Sequence, residues 1–450
     1  MDVTVIGCGY VGLVTATCLA SIGHAVRGVE KDPRKLKALQ DGQCPIFEPG
    51  LHELMREHYA SGQLQFTDDV AAAIRDAEVV YLAVGTPPKP DGTVDMSYLE
   101  SAGKEVCDAL AAMNTQYMVT IVVKSTVPAG TNRRLHAFLR AQTPAHVQVV
   151  SNPEFLREGS AVQDFLEPDR IVIGGESPEA FRIMRRLYDP IVKREENFLT
   201  MSWESAELTK YAANCMLAAR ISFMNEMTIL CEHYNADIED IRKGIGSDYR
   251  IGPAFLRAGC GYGGSCFPKD VAAMEHISRA AGHESLFVNA IQTINRAQKQ
   301  RFVQKLVEKL GKPIDGAIIA VWGLAFKADT DDIRESPAID VIADLLERGA
   351  RVRATDPKAM EHMKALYGDR VEWFADPVTC AAGADAVALL TDWPQYSTLP
   401  FRKIAATMDQ PLIFDGRNCL HRDVMRESGF QYYPIGRPAV ERALRLKQRA

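Results

Sequence analysis

The chain has 450 residues, of which 47% are hydrophobic and 24% charged, and its formal net charge is −6. At about 150 residues per domain, this length predicts two or three domains of an ordinary globular protein. The acidic charge argues against nucleic acid or an anionic membrane as the main partner. A small anionic ligand is compatible with it, because such a ligand needs only a local cluster of Lys and Arg.

The cysteines and the first residues bear on where the protein works. Ten cysteines without a paired spacing do not make a disulfide scaffold. The opening segment, MDVTVIGCGYVG, starts a buried strand almost at once and lacks the features of a signal peptide. The longest apolar runs are short and interrupted, so no transmembrane helix is expected. We expect a cytoplasmic protein with reduced thiols.

Apolar, β-rich runs alternate with helical patterns through the first half of the chain. Continuously apolar strands separated by helices are typical of a parallel sheet that is covered on both faces. The predicted strands are VTVIG (3–7), HAVRGVE (24–30), EVVYLAVG (78–85), YMVTIVVKS (117–125), VQVVSNP (147–153) and RIVIGG (170–175).

Gly7, Gly9 and Gly12 follow the first predicted strand with G-x-G-x-x-G spacing. In a dinucleotide-binding unit these glycines allow a tight turn, approach of the pyrophosphate, and close packing of helix and strand. The helix that follows presents free N–H groups to the phosphates. Glu30 ends the second predicted strand, where a carboxylate binds the ribose hydroxyls and repels a 2′-phosphate. The pattern predicts NAD rather than NADP, although two lysines lie close to Glu30 in the sequence.

Polar clusters follow three of the later strands, at 85–87, 125–128 and 152–158. Ligands of open α/β sheets bind outside the carboxyl ends of the strands, so these clusters are expected to face a ligand. The last cluster contains Glu154 and Glu158, and two carboxylates near a nicotinamide suit proton handling. For Glu158, a turn or helix-capping role is the alternative.

The middle of the chain is helical. From Trp203 to about Ala236 the pattern has no Pro or Gly, and its length is typical of a helix that spans domains or pairs with another subunit. Lys210 and Asn214 lie four residues apart, hence on one face. A desolvated lysine can lose its proton, and an asparagine can hold a water or an oxyanion. Further helical sequence runs from the cysteine loop to about Leu310.

The stretch GYGGSCFPKD (261–270) places Cys266 among glycines at the opening of a helical segment. A helix N-terminus and the neighbouring Lys269 both favour the thiolate, which is the nucleophilic form. We expect the glycines to clear room for a substrate at the sulfur. Cys260 lies six residues earlier without a matching His or Cys pair, so no metal site is predicted.

The alternation of strands and helices returns at Gly316. The predicted fold class is α/β, with two Rossmann-like, doubly wound domains joined by a long central helix and a helical dimerisation region. The predicted domains are 1–200, 201–310 and 311–450. The last residues, ERALRLKQRA, are predicted to form a frayed helix or tail. The elements of the second sheet are predicted in GAIIAVWGLAF, SPAIDVIADLLERG, ARVRATDP, DAVALLTDW and PLIFDGRN.

Seven motifs resemble, in the same order, those of the UDP-glucose/GDP-mannose dehydrogenase family, and within it the UDP-glucose 6-dehydrogenases. The likeness covers nearly the whole chain, and the cysteine stretch is its most specific part. Cys8 and Glu30 depart from the family pattern, in which a smaller residue and an Asp are more usual. The motifs are GCGYVG, KSTVPAGT, NPEFLREG, ELTKYAAN, RIGPAFLRAGCGYGGSCFPKD, GLAFKADTDDIRESPA and DGRN.

This resemblance implies the oxidation of UDP-glucose to UDP-glucuronate with two NAD per turnover, as in polysaccharide biosynthesis. Cys266 resembles the nucleophile that forms a thiohemiacetal and then a thioester. Lys210 and Asn214 match the pair that handles the alkoxide proton and stabilises oxyanions. Glu154 matches the carboxylate that activates water, and Asp270 an acid that orients lysine and water.

The resemblance also implies binding residues. The cations among them would offset the charge of the diphosphate, and Arg250 is expected to come from a neighbouring subunit. We expect a homodimer or a higher homo-oligomer, with no nucleic acid or membrane partner. Expected cofactor contacts are Gly7, Gly9, Tyr10, Val11, Gly12, Glu30, Lys35, Thr86, Thr126, Glu158, Lys269 and Arg334. Expected substrate contacts are Glu154, Phe155, Leu156, Arg157, Glu158, Lys210, Asn214, Arg250, Phe255, Leu256, Arg257, Ala258, Gly259, Gly263, Lys327 and Arg417.

Three other functions are compatible with parts of the pattern. The first is a related dehydrogenase acting on GDP-mannose or a UDP-N-acetylhexosamine. The second is a 3-hydroxyacid or 6-phosphogluconate-like dehydrogenase, which transfers one hydride and has no use for Cys266. The third is an NAD-responsive binding or scaffold protein. The number of NADH released per substrate, which is two, one or none, separates these classes.

Overall fold

The structure is a computed structural model that describes residues 1–113 and 118–441. The chain divides into two compact units. Unit 1 contains Met1–Ala213 with His276–His283, and unit 2 contains Asn214–Glu275 with the chain from Glu284 onward. The predicted C-terminal tail falls outside the described residues from position 442, as does position 117 at the start of one predicted strand. No helix in the described ranges is long and apolar enough to cross a membrane.

Within the described residues, unit 1 contains an eight-stranded sheet. Its strands are β1 (Asp2–Ile6), β2 (Ala25–Val29), β3 (Leu64–Thr67), β4 (Val79–Leu82), β5 (Met118–Val123), β6 (His146–Ser151), β7 (Ile171–Gly174) and β8 (Phe198–Met201). Their order is β3-β2-β1-β4-β5-β6-β7-β8, which begins with the doubly wound order of dinucleotide-binding sheets. The predicted parallel arrangement holds from β1 to β6 and again for β7 with β8, but β6 and β7 run antiparallel.

Helices cover both faces of this sheet, as the apolar strands predict. In β4, Val79 and Tyr81 belong to one core cluster, and Val80 and Leu82 belong to another, because successive side chains point to opposite faces. The helices of unit 1 are α1 (Tyr10–Ser21), α2 (Pro33–Gln40), α3 (Leu51–Ala60), α4 (Val70–Ile74), α5 (Ser97–Met113), α6 (Thr131–Gln142), α7 (Ala161–Leu166) and α8 (Pro178–Tyr188).

The long helix predicted from Trp203 is confirmed as α9 (Trp203–Tyr234). The boundary between the two units falls inside it, between Ala213 and Asn214. It is followed by α10 (Ile238–Gly246), α11 (Phe267–Ala280) and α12 (Leu286–Lys309). The helical sequence predicted to run from the cysteine loop onward is interrupted after α11, where Gly282 has a φ of +76°. A glycine in this left-handed region commonly ends a helix.

Unit 2 contains, in the part of the chain that the structure describes, a six-stranded parallel sheet of order β11-β10-β9-β12-β13-β14. Its strands are β9 (Ile318–Trp322), β10 (Arg351–Thr355), β11 (Val371–Trp373), β12 (Ala386–Leu389), β13 (Leu412–Asp415) and β14 (Gln431–Pro434). Its further helices are α13 (Pro337–Glu347), α14 (Met360–Tyr367), α15 (Pro377–Ala381), α16 (Phe401–Thr407) and α17 (Arg422–Glu427).

Candidate active site and cofactor site

The glycine loop after β1 has the geometry of a phosphate cradle. Gly7 has a φ of +95°, and a Cβ added to Gly12 would lie 1.7 Å from the carbonyl oxygen of Gly7. Gly9 differs, because an added Cβ there would meet no atom within 4 Å. Gly9 also precedes α1 without a side-chain cap, so the first N–H groups of the helix are left for a ligand. The loop fits a dinucleotide pyrophosphate.

Glu30 lies at the end of β2, beside β1. One of its carboxylate oxygens accepts the backbone N–H of Asp32 at 2.9 Å, which holds the carboxylate at the carboxyl end of β2. Cys8, which departs from the family pattern, is buried with its Sγ 3.6 Å from the carbonyl of Val29. A Cβ on Gly28 would approach that sulfur to 2.9 Å. The missing side chain at Gly28 therefore makes room for Cys8.

The predicted polar clusters share one edge of the sheet. Thr86 follows β4, Thr126 follows β5, and the segment 154–158 follows β6. Because β1, β4, β5 and β6 are adjacent and parallel, their carboxyl ends line up beside the glycine loop. Among the predicted cofactor contacts, Lys269 and Arg334 belong to unit 2 and the rest to unit 1.

Glu48, in the loop before α3, connects the glycine loop to the segment that follows β6. Its buried carboxylate accepts the hydroxyl of Tyr10 and the backbone N–H groups of Gly159 and Ala161, the latter two at 2.7 Å. Sequence reasoning missed this residue. The available signal was a carboxylate in the apolar segment IFEPGL, where a solvated acid is out of place.

Glu154 forms a buried ion pair with Lys210. The Nζ of Lys210 lies 2.8 Å from Oε1 of Glu154, and the two side chains are 4% and 6% exposed respectively. Burial by itself raises the pKa of Glu154, but the charge of Lys210 and hydrogen bonds from Lys210 and the Leu156 N–H outweigh it. The pKa of Glu154 therefore lies below its usual range, and the group is a carboxylate at neutral pH.

The neighbours of this pair form a cationic surface around one ring. The guanidinium of Arg170 lies 3.8 Å from the ring centroid of Phe155, and the Nζ of Lys210 lies 5.4 Å from it. Arg157, a predicted substrate contact, instead binds Asp164 through two nitrogens at 2.6 and 3.0 Å. The predictions for Phe155 and Arg157 as substrate contacts stay predictions.

Glu207 lies one turn before Lys210 on α9 and was not predicted. Its buried carboxylate accepts the backbone N–H groups of Gly130 and Asn132 at 2.5 and 2.8 Å, and the side-chain amide of Asn132 at 2.7 Å. These bonds cap the start of α6. They also fix the rotation of α9, and hence the direction in which Lys210 extends.

Unit 2 carries the predicted nucleophile. Cys266 directly precedes α11, which begins at Phe267, so the predicted position at a helix start is confirmed. Its half-buried Sγ lies 3.5 Å from the hydroxyl oxygen of Ser265. Cys260 differs, because it is fully buried and burial raises the pKa of its thiol. Cys260 has the environment of a packing residue, whereas Cys266 is partly accessible at the start of a helix.

Asp270 organises the residues around Cys266. Its buried carboxylate accepts the amide of Asn214 at 2.6 Å and the ammonium of Lys269 at 2.5 Å. Its backbone N–H donates to the carbonyl of Cys266 at 2.8 Å. The prediction that Asp270 orients a lysine and a water stays a prediction; the lysine in this hydrogen bond is Lys269.

The glycines of the cysteine loop have a different role from the predicted one. A Cβ on Gly263 would lie 2.2 Å from the carbonyl oxygen of Glu335, and one on Gly264 would lie 2.8 Å from the ring of Phe326. Gly261 has a φ of +116°. The space beside Gly263 and Gly264 is thus filled by the protein itself. These glycines allow the loop to pack closely against the segment 326–335.

Side-chain amides support the same loop from two helices. Asn295 of α12 accepts the N–H of Tyr262 at 2.9 Å and donates to its carbonyl at 3.1 Å. Asn225 of α9 accepts the N–H of Gly259, and Gln298 donates to its carbonyl, both at 2.8 Å. In the predicted substrate segment 255–259, the side chains of residues 256 and 258 are buried and that of residue 257 is exposed.

Arg417 joins the cysteine loop to the second sheet. Its guanidinium donates to the carbonyls of Leu390, Gly261 and Phe326 at 2.7, 3.0 and 3.0 Å. A guanidinium has five N–H donors, so these three bonds leave two. The predicted contact with the diphosphate stays a prediction.

The other predicted cations of unit 2 lie elsewhere on its loops. Arg250 is exposed and pairs with Asp248 at 2.6 Å. Arg334 pairs with Asp332 at 2.6 Å. Lys327 is half-buried, with its Nζ 5.6 Å from the ring of the preceding phenylalanine. Among the described residues, no group of three or more His, Cys, Asp and Glu is placed to hold a metal ion.

Three family models match the chain in order. They describe the NAD binding domain, the central domain and the UDP binding domain of UDP-glucose/GDP-mannose dehydrogenases, over residues 1–192, 204–297 and 320–422. The chain belongs to the UDP-glucose/GDP-mannose dehydrogenase family. It is therefore an NAD-dependent dehydrogenase, and the predicted family, fold class and cofactor are confirmed.

Members of the UDP-glucose/GDP-mannose dehydrogenase family resemble the chain over nearly its full length. The UDP-glucose 6-dehydrogenase of Pseudomonas aeruginosa is 44% identical over 448 residues, covering 97% of this chain and 98% of that protein. That of Rhizobium meliloti is 44% identical over 444 residues, covering 97% and 100%. A UDP-glucose dehydrogenase structure from Pyrobaculum islandicum has a TM-score of 0.90 at 38% identity, covering 97% and 98%.

Proposed function

We propose that this dehydrogenase oxidises UDP-glucose to UDP-glucuronate and uses two NAD per turnover. Two relatives named UDP-glucose 6-dehydrogenase share 44% of its residues over almost the whole chain. The match of residues 320–422 to a UDP binding domain supports a uridine diphosphate substrate. The Glu30 carboxylate at the carboxyl end of β2, the strand next to β1, supports NAD over NADP, because it would repel a 2′-phosphate.

The observation that carries the proposal is the setting of Cys266. The thiol lies at the start of α11, on a loop held by side-chain amides and by Arg417. Oxidation of an alcohol to a ketone or aldehyde transfers one hydride and needs no thiol. Oxidation of a primary alcohol to an acid passes through an aldehyde, and a covalent bond to a thiolate retains that aldehyde.

The proposed roles follow the chemistry of each side chain. NAD, when bound, accepts one hydride at each oxidation stage, so that an alcohol and a water yield a carboxylate, two NADH and three protons. In the first stage Lys210 releases its ammonium proton to solvent and then takes the alcohol proton, while Asn214 donates a hydrogen bond to the oxyanion. The Cys266 thiolate attacks the aldehyde carbon to form a thiohemiacetal, which becomes a thioester in the second stage.

Glu154 acts in the last stage. Its ionised carboxylate takes a proton from the water that attacks the thioester carbonyl. The C–S bond then breaks, and the thiolate of Cys266 is restored as the acid leaves. Asp270 holds Asn214 and Lys269 throughout.

We also propose that the enzyme is at least a dimer that pairs through α9. Met216, Phe223 and Leu230 are 58%, 52% and 49% exposed, and they repeat every seven residues along the helix. This spacing places them on one stripe, which suits a partner helix. Light scattering is expected to give at least twice the 49.7 kDa chain mass. A fully active species of single-chain mass at assay concentration contradicts this.

The substrate proposal is tested by counting NADH. The purified enzyme is incubated with NAD and a limiting amount of UDP-glucose, UDP-N-acetylmannosamine or GDP-mannose, and NADH is measured by absorbance. Two NADH per UDP-glucose, with UDP-glucuronate as the product, are expected. One NADH per molecule contradicts the thioester route, and preference for another nucleotide sugar contradicts the substrate.

A further inference from the structure

Lys124 is a buried lysine that has no role among the steps of the proposed reaction. It follows β5 directly, next to Ser125 and Thr126, and is only 5% exposed. Its Nζ donates to Oδ1 of Asn152 at 3.2 Å and lies 5.9 Å from the ring centroid of Phe165. Among the described residues, no carboxylate oxygen comes within 4.0 Å of this nitrogen.

The groups behind Lys124 are neutral. Oδ1 of Asn152 also accepts the hydroxyl of Tyr188 at 2.7 Å, and that hydroxyl accepts the hydroxyl of Tyr81 at 2.9 Å. The amide nitrogen of Asn152 donates to the carbonyl of Val172 at 3.0 Å. This chain of hydrogen bonds fixes the position of Lys124 but supplies no negative charge. A buried ammonium needs a nearby anion to offset the loss of its hydration.

The nearby anion is Glu154, which follows Asn152 by two residues. The charges of Lys124 and Glu154 stabilise each other, whereas Lys210 disfavours the charge of Lys124. Arg170, which stacks on the ring of Phe155, is a further cation whose charge Glu154 favours. Burial is the largest effect on Lys124 and lowers its pKa to about 8, so the ammonium form prevails at neutral pH and below.

We propose that Lys124 is a positioning residue whose buried ammonium, together with Lys210, keeps Glu154 ionised. This inference rests on the proposed function, in which Glu154 activates water. Lys210 alone is insufficient there, because it takes up and releases a proton during the reaction. Whenever Lys210 is neutral, Glu154 loses its paired cation, and a carboxylate at that depth gains a proton more readily. Lys124 carries no such duty and stays charged at neutral pH and below.

The test uses two neutral variants and one charged variant. Lys124→Met and Lys124→Gln remove the charge, and Lys124→Arg keeps it. The control is Lys104→Met, which removes an exposed lysine paired with Asp108. For each protein, kcat and kcat/KM are measured from pH 5 to 9 with whichever nucleotide sugar the unchanged enzyme oxidises. A failure of UDP-glucose as substrate thus counts against the proposed function and leaves this comparison intact.

The expected direction follows from the sign of the charge. Without the ammonium, the pKa of Glu154 rises. The acid limb of the pH profile, where kcat falls as Glu154 gains a proton, therefore moves to higher pH by about one unit in the neutral variants. The KM for NAD stays within about twofold. Lys124→Arg keeps the acid limb of the unchanged enzyme, because a guanidinium does not deprotonate in this range.

Three outcomes overturn the proposal. The first is an acid limb that is the same in a neutral variant and the unchanged enzyme. The second is a loss of activity by the same factor at every pH, which indicates a packing role. The third applies even if neither neutral variant folds, because an acid limb shifted upward in a folded Lys124→Arg enzyme contradicts a role for the charge.

Discussion

The ammonium of Lys210 lies 2.8 Å from the carboxylate of Glu154, and neither side chain is more than 6% exposed. In a buried environment, the attraction between the two charges offsets the loss of their hydration only while both charges are present. The pair is therefore stable as a unit and costly to break. In the proposed mechanism, both stability and activity depend on this contact.

Replacing Lys210 by Met is expected to lower the free energy of unfolding by about 3–5 kcal/mol, because the Glu154 charge is left buried without its partner. Urea unfolding at pH 7 measures this change. Lys193→Met is the control, since it removes an exposed lysine from its pair with Glu167 and is expected to change stability by less than about 1 kcal/mol. A change of less than about 1 kcal/mol in the free energy of unfolding of Lys210→Met would contradict a stabilising buried ion pair.

Acid is expected to weaken the enzyme through Glu154. The folded-state pKa of this carboxyl is depressed, so its contribution to stability is present above the unfolded pKa and is lost as the pH falls through the folded value. The free energy of unfolding should therefore fall more steeply between pH 5 and pH 3 in the unchanged enzyme than in Glu154→Gln. Urea unfolding at constant ionic strength checks this. The same dependence of the free energy of unfolding on pH in the two proteins is incompatible with a depressed pKa of Glu154.

Two alanine substitutions in the glycine loop should affect different properties, one the stability of the fold and the other the affinity for NAD. Gly12→Ala places a Cβ against the carbonyl of Gly7, so it is expected to disrupt the packing of α1 and lower the thermal midpoint by several degrees. Gly9→Ala meets no atom and has a φ of −70°, so its fold is expected to survive. Its dissociation constant for NAD should rise at least about tenfold, because the methyl group occupies the pyrophosphate space. Differential scanning calorimetry measures the thermal midpoint, and isothermal titration calorimetry measures the dissociation constant. An unchanged NAD affinity in Gly9→Ala counts against the role of the loop as a phosphate cradle.

Replacing Glu30 by Gln is expected to change the choice of cofactor. The variant no longer repels a 2′-phosphate and loses a charged acceptor for the ribose, worth about 1.5–3 kcal/mol. The ratio of kcat/KM for NAD to that for NADP should fall at least about tenfold. Asp41→Asn, which alters an exposed acid after α2, is the control. If the ratio is unchanged in Glu30→Gln, the carboxylate does not face the ribose.

Replacing Cys266 by Ser is expected to stop steady-state NADH production while leaving nucleotide-sugar binding within a few fold. The hydroxyl can still add to an aldehyde, but the resulting ester lacks the reactivity of a thioester towards water. Intact mass spectrometry should then detect a slowly accumulating enzyme–substrate adduct. Cys44→Ser, at a half-buried cysteine of unit 1, is expected to retain activity. Turnover close to the native rate in Cys266→Ser would remove the nucleophile from the mechanism.

The sequence predicted the inner strands of both sheets and missed the strands at their edges. The missed strands, β3, β8, β11 and β14, are the outermost of their sheets in the described structure. A strand with one neighbour need not be apolar on both faces, and FLTM of β8 is exposed at two of its four residues. The antiparallel direction of β7 was also missed, because strand direction depends on pairing and not on composition.

At the site, the sequence identified residues whose type and spacing suggest chemistry. It did not identify Lys124, Glu48 or Glu207, because a lysine or glutamate in a loop or helix is usually solvated, and only the fold shows that these are buried. The glycines near Cys266 were interpreted as space for a substrate. Their contacts with the segment 326–335 arise from pairs of loops distant in sequence, which no local pattern reveals.

The bonds of Arg417 have a consequence for exchanging parts between relatives. The guanidinium comes from the loop after β13, yet it binds the carbonyl of Gly261, five residues before Cys266. A chimera that takes its C-terminal third from another dehydrogenase replaces the loop that supports the cysteine loop together with the UDP binding domain. Recombination at the end of α12 is therefore expected to alter the UDP binding domain and the position of the cysteine loop together. Chimeras selected for a new nucleotide preference will therefore be limited to those in which the cysteine loop keeps its position.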